Sequence, residues 1–279
     1  VTTSTPTPAA DALFDHELLT RGRLLVDYSE PVLTITLNRP EIRNAQLPQT
    51  WEALAHIGSQ VPSATRVVIL KGAGEAFSAG LDRSMLPQNG ASNLTQIASA
   101  PDAVAHHMIG GFQRGFTWLA DPSFISIAAV AGHAVGAGFQ LALACDLVVV
   151  AQDAQFCMAE VKLGMVPDLG GTAPLVRAVG YQRALEICVT GRRIAADEAV
   201  RIGLALIKVS NDNLDIAVSD LVNAILQAPV EAVRAVTRLI ASAGVLSHGD
   251  QLEAEQGEQL NRLRELAAGA DHQAGIPHD

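Results

Sequence analysis

Two glycine-rich segments carry the strongest chemical signal in this sequence. Residues 71–82 run from an apolar stretch into a turn with Gly72, Gly74 and Gly80, and glycine there lets backbone approach a ligand closely. Residues 132–146 place Gly132, Gly136 and Gly138 ahead of an Ala/Leu run, so a turn opens a helix and leaves free amides at the dipole's positive end. Amides aimed at one point are what a developing oxyanion requires. Glu160 follows an apolar stretch and precedes Val161 to Gly164. That setting strips water from its carboxylate and lifts its pKa from about 4.3 toward the range where proton transfer is efficient. The alternative for Glu160 is a structural ion pair with Lys162 or an arginine. Two further constellations fail on spacing. Ala76 to Gly80 approaches a serine-hydrolase elbow around Ser78 but lacks the leading glycine and a supporting helix. Adjacent His106 and His107 point to different helix faces, and no Cys/His cluster exists, so no metal is expected.

Recurring strand and helix units must position these segments. Residues 23–28 and 32–37 read as strands joined at Glu30 and Pro31, followed by a helix with Trp51, Leu54 and Ile57. Residues 66–70, 125–130, 147–150, 154–158 and 205–209 read as further strands, with helices around 139–144, 175–179 and 183–189. The class is therefore α/β. Residues 124–145 carry no formal charge when His133 is neutral and are long enough to span a membrane, but their glycines divide them into a strand, a turn and a helix. After Ser210 only helices are predicted, with apolar stripes at Leu221, Val222, Ile225 and Leu226, at Val233, Leu239 and Ile240, and at Leu252, Leu260, Leu263 and Leu266. Three such helices make a thin core alone, which points to packing on the main domain and on other subunits. The tail after Ala268 reads as disordered.

Composition narrows the class of partner. With 19 basic against 29 acidic residues and a net charge of -10, nucleic acid and anionic membranes are disfavoured. Cys145, Cys157 and Cys188 are odd in number and lie in apolar runs, as reduced core thiols of a cytosolic protein do. Residues 1–10 are rich in Thr and Pro without a basic or apolar signal region, and are expected to form a disordered leader rather than a targeting peptide.

Four segments in order, residues 37–44, 71–82, 132–146 and 159–172, resemble the enoyl-CoA hydratase/isomerase, or crotonase, family, and the resemblance covers roughly residues 22–265. It implies a spiral of ββα units over residues 21–210, after a leader at 1–20, with a C-terminal helical oligomerisation region at 211–279. It further implies a cytoplasmic homotrimer or dimer of trimers that acts on an acyl-CoA thioester in fatty acid metabolism. Coenzyme A would enter as part of the substrate, with no separate cofactor. Carried over by position, the two oxyanion amides fall on Leu81 and Ala137, and Leu or Ala supplies a backbone N–H as well as the small residues usual in the family. Arg43, Ala79, Leu81 and Ala137 would line the path of the CoA thioester, although Arg43 equally reads as a surface arginine on the following helix. Glu160 falls on the acid/base carboxylate. Gln140 stands where family hydratases carry a second Glu, and an amide can orient a water but cannot take its proton. Isomerisation of a double bond, which one carboxylate can perform, is therefore favoured over hydration. Asp168 resembles the extra Asp of some relatives and could pair with Glu160, which would allow hydration, or it could cap the helix that follows. A non-catalytic acyl-CoA-binding protein is the remaining alternative.

Overall fold

Residues 24–37 fold as a hairpin whose side chains alternate between a buried and a more exposed face. Strand β1 (Leu24–Ser29) buries Leu24, Val26 and Tyr28, strand β2 (Val32–Leu37) buries Leu33, Ile35 and Leu37, and the two pair antiparallel with Leu24 opposite Leu37. The structure is a computed structural model that describes residues 13–86 and 93–274. Helix α1 (His16–Gly22) precedes the hairpin, with Asp15 Oδ1 accepting from the amides of Glu17 and Leu18. The expected leader over 1–20 is thus too long, because capping and the burial of Phe14 and Leu19 order its second half. Residues 1–12 lie outside the described residues.

Helix α2 (Pro48–Ser59) starts on a proline at its first turn and buries Trp51, Leu54 and Ile57. Next come strand β3 (Val67–Gly72), helix α3 (Asn93–Ser99), helix α4 (Asp102–Thr117), strand β4 (Ile125–Val130) and strand β5 (His133–Val135). Helix α5 (Ala137–Leu143), strand β6 (Leu147–Ala151), strand β7 (Gln155–Cys157), helix α6 (Thr172–Val179) and helix α7 (Tyr181–Thr190) follow. Strand β8 (Arg193–Ala195), helix α8 (Ala196–Arg201) and strand β9 (Ile207–Val209) complete the mixed region. The apolar stretch 124–145 is accordingly β4, β5 and α5, and no single described helix is long and apolar enough to cross a membrane.

Among the described residues a six-stranded sheet has the order β1-β2-β3-β4-β6-β9, parallel from β2 onward. A three-stranded sheet, β5-β7-β8, stands apart from it. Sequence reading does not resolve β5, which lies where a glycine turn is expected, or β8, whose three residues include Arg193 and bury only Ile194. The central parallel strands β4 and β6 are buried on both faces, which is why 125–130 and 147–151 read as largely apolar runs.

The chain separates into two units, Val1–Leu221 and Val222–Asp279. Helix α9 (Leu214–Gln227) begins in the first, past the expected boundary at 210. In the second, helix α10 (Val230–Ala243) and helix α11 (His248–Ala274) are joined by Arg238, whose guanidinium donates to both carboxylate oxygens of Glu258 at 2.6 and 2.9 Å. Helix α11 continues past Ala268, where a disordered tail was expected, and residues 275–279 lie outside the described residues.

Candidate active site

The turn after β3 is shaped by buried polar groups that carry no chemistry of their own. Ser78 Oγ donates to Asn44 O at 2.8 Å and accepts from Gln46 Nε2 at 2.9 Å and from the Gly80 amide at 3.1 Å. Gln46 Oε1 in turn accepts from Trp51 Nε1 at 2.8 Å, and Asn44 Nδ2 donates to the carbonyls of Ala73 and Ala76 at 2.9 and 2.7 Å. Every one of these groups is satisfied inside the protein, which is the condition for burying it. Ser78 is therefore a brace rather than a nucleophile.

This brace sets the direction of the Leu81 amide. Gln46 N donates to Gly80 O at 2.7 Å and Asp82 N donates to Gln46 O at 2.9 Å, so the intervening Leu81 N–H is turned to the opposite side. On that other side runs β5, with Ser78 N donating to His133 O at 2.7 Å and Val135 N to Ser78 O at 3.0 Å. Gly80 adopts a φ of +84°, and a Cβ there would lie 2.2 Å from Val135 O and 3.3 Å from the Ala137 nitrogen. The two glycine segments thus meet face to face. Among the described residues neither the Leu81 nor the Ala137 amide has an intramolecular hydrogen-bond partner, whereas Gly80, Asp82, Gly136 and Gln140 all donate. Gly80→Ala is expected to cost about 3 kcal/mol of stability, the upper end of the strain scale for a side chain forced into this backbone region, measured from the denaturant midpoint.

Glu160 lies in a short 3-10 turn (Glu160–Leu163) directly after β7 and is buried. Gly136, with a φ of +52°, leaves room for it: a Cβ there would sit 3.3 Å from Glu160 Oε1. The carboxylate therefore borders the residue that precedes the Ala137 amide. Its Oε1 accepts from Gln140 Nε2 at 2.7 Å, and its Oε2 is buried without a partner. Burial raises the Glu160 pKa above its ordinary value; the backbone and Gln140 hydrogen bonds oppose this, and the charge of Asp168 adds to it. The expected alternative of an ion pair with Lys162 fails, because the occupied oxygen bonds to an amide.

Gln140 has less freedom than its type suggests. Its Oε1 accepts from the amides of Leu169 at 2.9 Å and Gly171 at 3.3 Å, which assigns the oxygen and sends the NH2 group to the carboxylate. Its oxygen is thereby committed to the main chain, and its NH2 group is the part that faces Glu160. Asp168 is exposed as a residue, while partial burial of its carboxyl raises its pKa against a backbone hydrogen bond that lowers it; its overall exposure keeps that shift modest. It does not cap α6: the residue before that helix is Gly171, with no side-chain cap bond. Arg43 is exposed and sits not on a helix but in a left-handed residue after the turn Pro40–Ile42, where its carbonyl accepts from the Ala79 amide at 2.7 Å. Among the described residues no group of three His, Cys, Asp or Glu side chains is arranged to hold a metal. Of the stretch 84–108 expected to shape an acyl pocket, residues 87–92 lie outside the described residues.

Sequence reasoning did not single out Gln46 or Trp51 Nε1. Neither has a signal in one sequence, because a buried amide is recognised by its partners.

A desolvated carboxylate with one free oxygen, beside two unpartnered amides, is suited to moving a proton at a carbon next to a carbonyl. Comparison with known proteins agrees. The family model described as enoyl-CoA hydratase/isomerase matches residues 27–271. The chain is 34% identical over 202 residues to "Probable enoyl-CoA hydratase echA8" of Mycobacterium bovis, covering 70% of this chain and 72% of that one. It is 40% identical over 187 residues to the carnitinyl-CoA dehydratase of Salmonella agona, covering 66% and 67%. A Thermobifida fusca protein assigned to the enoyl-CoA hydratases and solved with CoA superposes with a TM-score of 0.86 at 42% identity, covering 92% of this chain and 98% of that one. The same protein with acetoacetyl-CoA gives 0.85. The chain belongs to the enoyl-CoA hydratase/isomerase, or crotonase, family, whose enzymes act on CoA thioesters, and it has the mixed α/β crotonase fold with C-terminal helices.

Proposed function

We propose that this enzyme moves the double bond of an enoyl-CoA, with Glu160 as the proton carrier. On this reading the thioester oxygen accepts from the Leu81 and Ala137 amides. Glu160 Oε2 takes a proton from C2 of a 3-enoyl-CoA, and the electron pair passes into a dienolate held by those amides. The same oxygen then returns the proton to C4, which leaves the 2-enoyl-CoA. Coenzyme A enters as part of the substrate, a reading supported by the Thermobifida fusca protein solved with CoA and with acetoacetyl-CoA, and on this reading Arg43 lies near its phosphates and Ala79 along its path.

One observation carries the preference for isomerisation. Gln140 gives its NH2 group to Glu160 and its oxygen to Leu169 and Gly171, so residue 140 supplies no base for water. The test is Gln140→Glu. Its carboxylate would face Glu160 across a contact now 2.7 Å long, and the pair would share a proton with coupled pKa values. Addition of water to a 2-enoyl-CoA, followed by loss of the conjugated thioester's absorbance, is expected to rise about tenfold or more, within the usual range for general acid–base catalysis. A second reading, hydration by Glu160 with Asp168, draws on the influence of Asp168 on Glu160 and on the hydratase names of relatives. Fast hydration by the wild type that survives Asp168→Asn would replace the isomerase reading with a hydratase that needs neither residue as its second base. Stabilisation by acyl-CoA without any turnover would instead mark a binding protein.

The enzyme works, on this reading, in the cytosol as a homotrimer or dimer of trimers. The apolar side chains Val236, Ile240, Leu260, Leu263 and Leu266 of the second unit are exposed on the single chain, which supports association. Light scattering at micromolar concentration is expected to give three or six times the chain mass of 29.2 kDa. A stable monomer would contradict it.

A further inference from the structure

Helix α4 meets the segment beside the candidate site through the Gln113 side chain, and Thr117 Cγ2 would lie 3.9 Å from a Cβ on Gly170. Gln113 sits in the part of α4 that is locked to the core. Phe112 packs on Trp51 with ring centroids 4.8 Å apart, Phe116 is buried, and a Cβ on Gly115 would come within 2.6 Å of Trp51 O. From this fixed base Gln113 Nε2 donates to Asp168 O at 2.7 Å. The next residue, Leu169, donates its amide to Gln140 Oε1 at 2.9 Å, and Gln140 Nε2 donates to Glu160 Oε1 at 2.7 Å. Hydrogen bonds and one peptide unit therefore run without a break from α4 to the carboxylate.

We infer that Gln113 is a positioning residue for proton transfer by Glu160, acting through the Asp168 main chain, the Leu169 amide and Gln140. The inference rests on Glu160 being the proton carrier. Its physical basis is that the Leu169 side chain is anchored in the core while the peptide before it is set by the Gln113 bond: Asp168 is exposed, Gly170 adopts a φ of +92°, and α6 has no side-chain cap, so that bond fixes the direction of the Leu169 amide. With the Gln113 bond gone, the Leu169 amide loosens its hold on Gln140 Oε1, and the Gln140 amide can turn away from Glu160. Gly171 still holds that oxygen at 3.3 Å, so the loss is partial. Reacting groups misplaced by about 1 Å can lose about a hundredfold in rate, and about tenfold is expected here.

The test follows exchange of the α-protons of a saturated acyl-CoA in D2O by NMR, which reads removal of the proton whether the final product is an isomer or a hydrate. Gln113→Met keeps the length of the side chain without its donor, and Gln113→Glu sets an acceptor against the Asp168 carbonyl. Both should lower the exchange rate at saturation about tenfold while the concentration for half-saturation stays within about twofold of wild type. In a Gln140→Met background, where the chain of bonds is already cut, neither should lower it further. If Gln140→Met fails to fold, Gln140→Leu, which likewise lacks donor and acceptor, serves as the background. Equal losses in both backgrounds, a loss confined to half-saturation, or no loss with either variant would overturn the role of Gln113 alone. Absence of exchange in the wild type would overturn the assignment of Glu160, and this inference with it.

Discussion

Glu160→Gln is expected to lower turnover about a thousandfold, within the range for removing a general acid–base, while acyl-CoA affinity stays near that of wild type. The split follows from geometry. The Leu81 and Ala137 amides belong to turns braced by Ser78, Gln46 and Gly80, and none of those contacts involves the Glu160 side chain. Binding therefore survives, and proton transfer does not. The same variant carries a second expectation with a definite sign. Because burial raises the Glu160 pKa above its ordinary 4.5, the folded protein binds more protons than the unfolded chain between the unfolded and folded values. Wild-type stability then falls as pH rises through that window, and the cost is complete above the folded value. Gln has no such cost, so the melting temperature of Glu160→Gln relative to wild type should climb as pH rises from about 4.5 and then level off. A difference that does not vary with pH would show that the carboxyl is not desolvated.

Ala137→Pro should lower turnover by about two to three orders of magnitude, the usual scale for one lost oxyanion donor. Proline suits this position, which is why the variant separates chemistry from folding. Ala137 is the first residue of α5, where a missing N–H breaks no helical bond. The residue before it, Gly136, has φ 52° and ψ -118°, the mirror image of the extended conformation that a following proline favours and one open to glycine. The change therefore removes the donor and leaves Gln140 N on Gly136 O at 2.9 Å. Circular dichroism and thermal unfolding near wild type, together with the loss of rate, would assign the effect to the amide. A well-folded variant with full turnover would show that the Ala137 amide does not hold the oxyanion.

Much of the fold is legible in the residue order because local rules decide it. Burial alternates along both strands of 24–37, so that Leu33, Ile35 and Leu37 share one face, and glycines at 132, 136 and 138 divide an apolar stretch into β4, the short β5 and α5, with β5 standing where only a turn is expected. Where the local signal was weak, the reading slipped. The three-residue strands β5 and β8 carry too few residues to show a period, and the order brought by Asp15 to residues 13–20 rests on a single capping side chain.

By itself the sequence determined the α/β class and the two glycine segments that present amides, and its resemblance to the crotonase family pointed to Glu160 as the carboxylate. The first two follow from residue type and short-range spacing, since conformational freedom and hydrogen-bonding capacity belong to residues and their neighbours. Only the tertiary structure decided which way the polar side chains face. Gln140 and Glu160 stand 20 residues apart, Gln46 and Ser78 stand 32 apart, and Gln113 and Asp168 stand 55 apart. Residue types permitted each of these bonds and many others. Packing of α4, α5 and the two glycine segments selected this set, because a buried amide or hydroxyl must find its partner within hydrogen-bond reach wherever the fold has brought one.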